Sequence, residues 1–555
     1  MFKLPTRKSI LSFGRDRFGA GLKKRWTSLV RAAGWALGKK PPVPVSVQLL
    51  ELASMQRDSG DIEGVFATGR QLIALCPNEA SGFALAANAL IELGRSDEAI
   101  ALLIEGLSLD PDSAALHGAK LRLHVLGKHK AEIAEYEARL ENPVFPALPA
   151  SALFDLARYQ LESLDFRAAE VSASSVVASR PDKPGAFHLL GRVLLHLNKP
   201  DQALAAVREG IDAHPYHANL YRLAYLIEMQ CGRTEEALGY AEKFLEFRPL
   251  SEKAQYSVYL CKIGLARFEQ AENHLELARE TASQFDYRKH SSQLKQYRQL
   301  QQELPAVAAA WEAGLADKRS KPLPFERVDP IPVIQYWSQG APPPDVGLVV
   351  NAWNELLAEQ GLGPVSIYDR QTAESWIAAN APEFGAAFKQ SFDFALESDI
   401  FRIAYASRFE CLYLDIDSWP IAGVGHVLNH GLRSGSSMLY FRTARPYLNN
   451  SFFIARKNCK FFAELVRQCA AIDLARWPQA RATISSTFGP DRYNAVLHDV
   501  VRNDRAASAS SAGVDGVSRL LFEDGSVLLF ANEFATAAQK PPFPLHYKST
   551  TDYWK

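Results

Sequence analysis

Five prolines constrain the fold most strongly: Pro77, Pro111, Pro181, Pro215 and Pro249 stand 34, 70, 34 and 34 residues apart. A fixed period of this size means stacked supersecondary units, none of which buries its apolar face alone. The positions between the prolines agree in phase. NEASGFALAANALIELGRSDEAIALLIEGLSLDP carries Phe83, Ala86, Ala87, Gly94, Ala99 and Pro111. Phe187, Leu190, Gly191, Ala203 and Pro215 repeat that pattern, as do Tyr221, Ala224, Gly232, Ala237 and Pro249. Ala169 and Ala271 keep the phase on either side. Small residues at these places let two helices approach closely. Between Pro111 and Pro181 the spacing is two residues too long, which puts an altered unit around ENPVFPALPA.

The pattern resembles the tetratricopeptide family over residues 46–281. The resemblance implies an all-α solenoid with a groove for a peptide or protein partner. His124, His188, His196 and His214 lie on these helices without metal-ligand spacing and read as surface or packing residues. Residues 282–325 read as a helical linker: SSQLKQYRQLQQELPAVAAAWEAGLADKRSK is helix-rich around Pro305, and the prolines of KPLPFERVDPIP end helical propensity.

A chain of 555 residues is too long for one core. Lys+Arg and Asp+Glu both number 62, a balance that argues against nucleic acid as the main partner. Six scattered cysteines without a CxxC pair fit a reduced compartment and no structural zinc. No apolar stretch approaches the roughly 20 residues that span a bilayer. Residues 1–45 are strongly basic, with Asp16 the one acid among the first 40. Arg31 interrupts the only apolar core a signal peptide would use. The segment reads either as a basic tail or, over Phe18 to Leu37, as an amphipathic helix on an anionic membrane face. The expected location is cytoplasmic, with that segment as peripheral contact to the inner membrane face.

From about residue 326 strands and helices alternate. IPVIQYW, PVSIYD, ECLYLDID, SSMLYFR and NSFFIAR read as strands, and RLLFEDGSVLLFA as a hairpin about Asp524-Gly525. DVGLVVNAWNELLAEQG, most of QTAESWIAANAPEFGAAFKQSFDFALESDIFRIAYASRF, and FFAELVRQCAAI read as helices. Such alternation predicts an α/β domain over 326–555 with a mostly parallel sheet, whose site lies off the carboxyl ends of the strands. CLYLDIDSW ends one such strand with Asp415 and Asp417. Two carboxylates that close raise each other's proton affinity unless a cation neutralises them. A metal–phosphate site, a phosphatase nucleophile and a strand-ending turn all fit that pair alone.

ALESDIFRIAYASRFECLYLDIDSWP resembles the sugar-nucleotide site of DxD-motif glycosyltransferases. The closest group is that of the yeast-type initiating mannosyltransferases, bacterial capsular polysaccharide glycosyltransferases and clostridial toxin-like transferases. The matching parts are Ser398, Asp399 and Arg402 of an S-D-x-x-R element, then Asp415 and Asp417. IPVIQYW with Trp337, TFGP at Thr487 to Pro490, and the tail LHYKSTTDYW are similar to outlying pieces of that family. The resemblance implies a GT-A-like, Rossmann-like domain over 326–555. It would be a retaining hexosyltransferase that takes a nucleotide-diphosphate sugar to a polysaccharide, glycolipid or protein acceptor with Mn²⁺ or Mg²⁺. A divalent cation neutralises the leaving diphosphate and prefers oxygen ligands.

On this reading Asp417 binds the ion, and Asp415 binds the ion, ribose or a water ligand. Asp399 and Arg402, at i and i+3, share a helix face toward sugar hydroxyls and phosphate. Trp337 stacks on the base, His546 and Ser549 complete the metal shell, and Trp554 covers the diphosphate. No nucleophile is assigned. The solenoid would recruit the acceptor or a protein partner. One departure stands out: Phe409-Glu410-Cys411 replaces the family's Tyr-Gly-Gly before the DxD strand. That keeps open a tetratricopeptide adaptor with a degenerate transferase domain. A haloacid-dehalogenase-like phosphatase, with Asp415 as nucleophile, is the other alternative. It lacks a clear adjacent acidic pair downstream. His426 and His430 would share a helix face, but the flanking glycines of GVGHVLNHG predict a loop.

Overall fold

The computed structural model describes residues 44–140, 147–281, 287–316, 330–420, 424–441, 446–514 and 517–532, together with Leu545. The basic N-terminal segment, most of ENPVFPALPA and most of KPLPFERVDPIP lie outside them. The described residues form two compact units, divided between Ala152 and Leu153.

Among the described residues fourteen helices carry the repeats. They are α1 Val45–Asp58, α2 Ile62–Leu75, α3 Ala80–Glu92, α4 Ser96–Leu109, α5 Ala114–Gly127, α6 Lys130–Leu140, α7 Ala150–Glu162, α8 Phe166–Ser179, α9 Pro184–His196, α10 Pro200–Ala213, α11 Ala218–Gln230, α12 Thr234–Phe247, α13 Glu252–Gly264 and α14 Phe268–Thr281. Between the two helices of each pair one residue takes the left-handed conformation: Gly60, Gly94, Lys128, Leu164, Asn198, Gly232 and Ala266. These turns recur every 34 residues except for 36 between Lys128 and Leu164, so the two extra residues lie between those two turns. Only three of the seven are glycine, the residue that adopts this conformation without a Cβ clash.

In the first unit Phe83, Leu90, Leu103 and Leu116 share one buried cluster. In the second unit small residues set the helix spacing. A Cβ on Gly191 would lie 2.5 Å from Val207 Cγ2, and one on Gly210 would lie 2.6 Å from Phe187 Cβ. The sequence expectation of close-packed pairs holds here.

Two further helices, α15 Tyr287–Glu303 and α16 Pro305–Ala316, follow the repeats. α15 packs on α14, and α16 packs on α15 and on the last three strands of the sheet. Trp311 of α16 is fully buried in the same cluster as Leu520, Leu528 and Phe530.

The α/β part runs β1 Val333–Tyr336, α17 Pro344–Glu359, β2 Ser366–Tyr368, α18 Arg370–Asn380, α19 Gly385–Lys389, α20 Phe394–Ala406, β3 Cys411–Leu414, α21 Val424–Arg433, β4 Ser437–Phe441, β5 Leu448–Ala455, α22 Lys460–Ala470, α23 Arg481–Thr487, α24 Pro490–Arg502, β6 Ser508–Val514, β7 Val517–Leu521 and β8 Val527–Asn532. One eight-stranded sheet has the order β2-β1-β3-β5-β4-β8-β7-β6. β1 is parallel to β2 and β3, and β4 to β8. β5 is antiparallel to both β3 and β4, and β6, β7 and β8 form an antiparallel meander. The sheet is therefore mixed, not mostly parallel as the alternation predicts. The six residues between β4 and β5 suit a hairpin and are too few for a crossover.

Alternate strand residues feed two layers. Ile334, Tyr336, Cys411 and Tyr413 join Ile400 and Phe401 of α20 on one face. Val333, Leu412 and Leu414 join Val349 and Trp353 of α17 on the other. That second cluster also takes in Leu161, Phe166 and Val193 of the solenoid. The predicted hairpin forms about Asp524-Gly525, with Gly525 at φ 78°. From Val424 onward GVGHVLNHG is a helix, α21, contrary to the loop expectation. Its Gly431 lets the helix settle on the sheet, where a Cβ would meet Met438 Cε at 2.6 Å and Ile454 Cδ1 at 2.7 Å.

Candidate functional site

The strand order turns back on itself between β1 and β3. β1 leads to β2 on one side through α17, and the chain then crosses to β3 on the other side through α18 to α20. Open α/β sheets place ligands in the crevice at such a point, outside the carboxyl ends of the strands. Trp337 ends β1 and Asp415 ends β3. The amide of Asp415 donates to Ser451 O at 2.7 Å, the last rung of the β3–β5 ladder. Ser418 N then donates back to Asp415 O at 3.0 Å, closing a turn over 415–418 that carries Asp417. Strand and turn thus follow the predicted pattern. Both aspartates are half-buried.

Asp393 caps α20 by accepting from Ala395 N, and the helix lies along β1 and β3. Its inward face brings Arg402 to the end of β3. Arg402 Nη2 lies 3.1 Å from Asp399 Oδ1 and 2.9 Å from Asp415 Oδ1. The same nitrogen donates to Ser398 Oγ at 2.9 Å, and Nη1 donates to Asn450 O at 2.5 Å. The guanidinium sits 4.2 Å from the Tyr413 ring centroid. Asn450 Nδ2 donates to Asp399 Oδ1 at 2.8 Å. Burial keeps the Tyr413 phenol protonated, so it donates to Asp415 Oδ1 at 2.9 Å.

One cation thus serves two carboxylates. Burial pushes the Asp399 carboxyl up to about 6 against the pull of Arg402. Arg402 stays protonated: burial opposes its charge, but Asp415 and its other anionic neighbours hold the proton more strongly.

Gly489 caps α24 with Pro490 in its first turn, and a Cβ on it would lie 3.0 Å from Asp399 Oδ2. The S-D-x-x-R element, the first aspartate of the DxD pair and the TFGP segment therefore converge. Trp337 is only 7 % exposed and shares the apolar layer of Val333 and Trp353. Its ring is mostly covered by the protein's own core, where the resemblance has it stacking on a base. His546, Ser549 and Trp554 lie outside the described residues. His426 and His430 share α21, and burial lowers the proton affinity of His430. Among the described residues no three His, Cys, Asp or Glu side chains converge as a metal-binding group.

Sequence reasoning missed Asn450 and Tyr413 as partners of the charged cluster, while Gly489 lies in the TFGP segment already singled out. It also missed a neighbouring group, in which Tyr336 Oη donates to Glu397 Oε2 at 2.6 Å and Arg370, just past β2, pairs with the same buried carboxylate. Tyr413, Tyr336 and Arg370 share one signal, a place at or just past the carboxyl end of a strand; Asn450, near the amino end of β5, carries none.

The substituted segment Phe409-Glu410-Cys411 lies at the amino end of β3. A strand rises about 3.3 Å per residue, which puts it on the order of 13 Å from Asp415. Glu410 accepts from Arg456 Nη1 at 2.9 Å and from Lys457 N at 3.0 Å. Cys411 is fully buried, and Phe409 packs near Trp376 and Tyr405. These side chains tie β3 to β5 and α18 away from the charged cluster.

Tetratricopeptide-repeat family models match residues 154–218, 188–252 and 80–113. The first half of this chain is a tetratricopeptide solenoid. Solved structures of similar fold include PilW, a type IV pilus biogenesis factor, at 21 % identity and a TM-score of 0.32, over 39 % of this chain and 98 % of that one. YrrB, described as a tetratricopeptide protein with an unusual peptide-binding site, is 16 % identical at a TM-score of 0.28, over 40 % of this chain and 97 % of that one. PilF of Pseudomonas aeruginosa is 17 % identical at a TM-score of 0.30, over 41 % and 92 %. Among curated protein sequences none matches the chain. No helix among the described residues is long and apolar enough to cross a membrane.

Proposed function

We propose that the chain is a glycosyltransferase that uses a nucleotide-diphosphate sugar and a divalent cation, with its solenoid recruiting the acceptor or a protein partner. The observation that carries this reading is Arg402 bridging Asp399 and Asp415 where the strand order turns back. Asp415 and Asp417 offer the hard oxygen donors that Mg²⁺ or Mn²⁺ takes. Two protein carboxylates are too few for such an ion, so the donor diphosphate supplies further oxygens. When bound, the ion would neutralise charge developing on the leaving diphosphate. Arg402 fixes Asp415 in place, and Tyr413 sets the direction of its Oδ1. The distance of Phe409-Glu410-Cys411 from this end of β3 supports an intact site. The acceptor is a glycan, glycolipid or protein.

The adaptor without transfer is the second reading. What favours it is that Arg402 already neutralises Asp415, and that every family match falls on the solenoid. The phosphatase alternative is weaker, because an attacking carboxylate with a guanidinium and a phenol on one oxygen is a poor nucleophile.

Calorimetric titration of the full chain with UDP- and GDP-sugars and Mn²⁺ tests the reading. Binding of one donor, lost with Asp417→Asn and without Mn²⁺, is the expected result. No binding of any donor removes the transferase and leaves the adaptor. Hydrolysis of a phosphomonoester instead would select the phosphatase.

A further inference from the structure

The second unit of the solenoid carries a group of cations that the sugar-nucleotide reading does not use. Arg158 on α7 and Arg192 on α9 occupy the same place in consecutive repeats, equally far ahead of the turn residues Leu164 and Asn198. The helices that carry them open consecutive repeats. Gly185 at the start of α9 faces Phe154 of α7, and α9 packs on α11. Arg222 projects from α11 close enough to Arg192 for each charge to oppose the other. Desolvation, then Arg158, lowers the proton affinity of Arg192; Glu162 works against them and Arg222 adds to them. His188 on α9 is neutral at pH 7, because burial and the neighbouring Arg192, His217 and Arg222 hold its pKa down to about 4.

Counter-charge is scarce. Arg158 faces Glu162 at 3.8 Å, with both side chains more than half exposed. Glu162 also attracts Arg192, but among the described residues no ion pair within 4 Å forms at Arg192 or Arg222. Like charges gathered this way repel in the free protein, and an anion relieves the repulsion.

We propose that the face formed by α7, α9 and α11 binds an extended acidic segment of a protein partner, with carboxylates on Arg158, Arg192 and Arg222. This rests on the protein-binding reading of the solenoid given above and names the partner's chemistry. Packed helices lie about 8–10 Å apart and an extended chain rises about 3.3 Å per residue, so an acidic residue roughly every third position meets successive helices. Leu226, one turn beyond Arg222 and 37 % exposed, offers an apolar contact between charges. A balanced net charge favours a peptide over a nucleic acid.

The test is fluorescence anisotropy of the full chain with a labelled twelve-residue Glu-Gly-Ser repeat peptide and its Gln-Gly-Ser counterpart, at low and high salt. The glutamate peptide is expected to bind at least about tenfold tighter than the glutamine peptide, and to weaken with salt. Arg192→Glu should reduce its affinity about tenfold or more, with an unchanged melting temperature. If Arg192→Glu lowers the melting temperature, the double variant Arg158→Gln/Arg222→Gln takes its place, with the same expected loss. Equal binding of the two peptides, no binding of either, or unchanged affinity in both variants overturns the proposal. So does displacement of the peptide by a single-stranded oligonucleotide at lower concentration than unlabelled peptide. Donor-sugar titrations on the same samples separate the two readings. A wild-type chain that binds the peptide but no donor overturns the transferase alone.

Discussion

Arg402 and Asp415 meet at 2.9 Å across the seam between α20 and the end of β3, and the guanidinium holds the buried Asp399 at 3.1 Å from the same nitrogen. The side chain of Asp399 is 8 % exposed, so water cannot replace Arg402. Removing one partner of a buried pair typically costs about 3–5 kcal/mol, since a charge is left uncompensated. Arg402→Met is expected to lose that much in urea unfolding at pH 7.5. Asp399→Asn is expected to lose less, because Arg402 keeps Asp415. Equal losses would show that Arg402 acts through packing on Tyr413 rather than through charge.

Leu164 takes the left-handed conformation at φ 67°, where a branched side chain is strained. Leu164→Gly should stabilise the chain by about 1 kcal/mol, read as a higher urea midpoint. Asn198→Gly, at φ 55°, should gain only a few tenths of that, because asparagine tolerates this region. A loss on Leu164→Gly would mean that its half-buried side chain contributes more than the turn costs.

His196 is buried against Phe166, ring centroids 5.1 Å apart, and burial lowers its pKa to about 4. The unfolded chain takes up the proton near pH 6.5 and the folded chain only near pH 4, so stability falls as pH drops through that window. The expected loss between pH 8 and pH 5 is about 2 kcal/mol from this group. His196→Gln should flatten that part of the profile when urea midpoints are compared across pH.

Two glycines should respond to alanine with opposite sign. Gly489 has an ordinary φ of −85°, but a Cβ there would stand 2.8 Å from Ile484 O. Gly489→Ala should cost about 1–3 kcal/mol and weaken donor binding through Asp399. Gly239 lies in α12 with nothing within 4 Å of its Cβ position. Gly239→Ala should gain up to about 1 kcal/mol from helix propensity. Thermal melts of the two variants check both.

The solenoid was legible because repetition averages out local accident: several positions agreeing in phase across several repeats outweigh any single residue. Lys128, Leu164, Asn198 and Ala266 could not be read as left-handed from their own identity, only from their place in the period. The small-residue strand β6 was not legible, since SASSAGV carries little alternation and little β-branching. α21 was hidden by Gly425 and Gly431, which signal a break in sequence but serve close approach in the fold. Within the candidate site, Asp399, Arg402 and Asp415 were legible through the resemblance of their stretch to an S-D-x-x-R element followed by a DxD strand. Asn450 was not, because only the pairing of β3 with β5 brings it to Asp399 across 51 residues.

Trp311 has no solvent exposure and belongs to the cluster that lines β7 and β8. A gene cut at the proline-rich stretch that follows α16 would leave a bare indole on one product and a bare sheet face on the other. A partner that pulls on the final repeats loads α15 and α16 through their packed faces, and through α16 the β6–β8 meander.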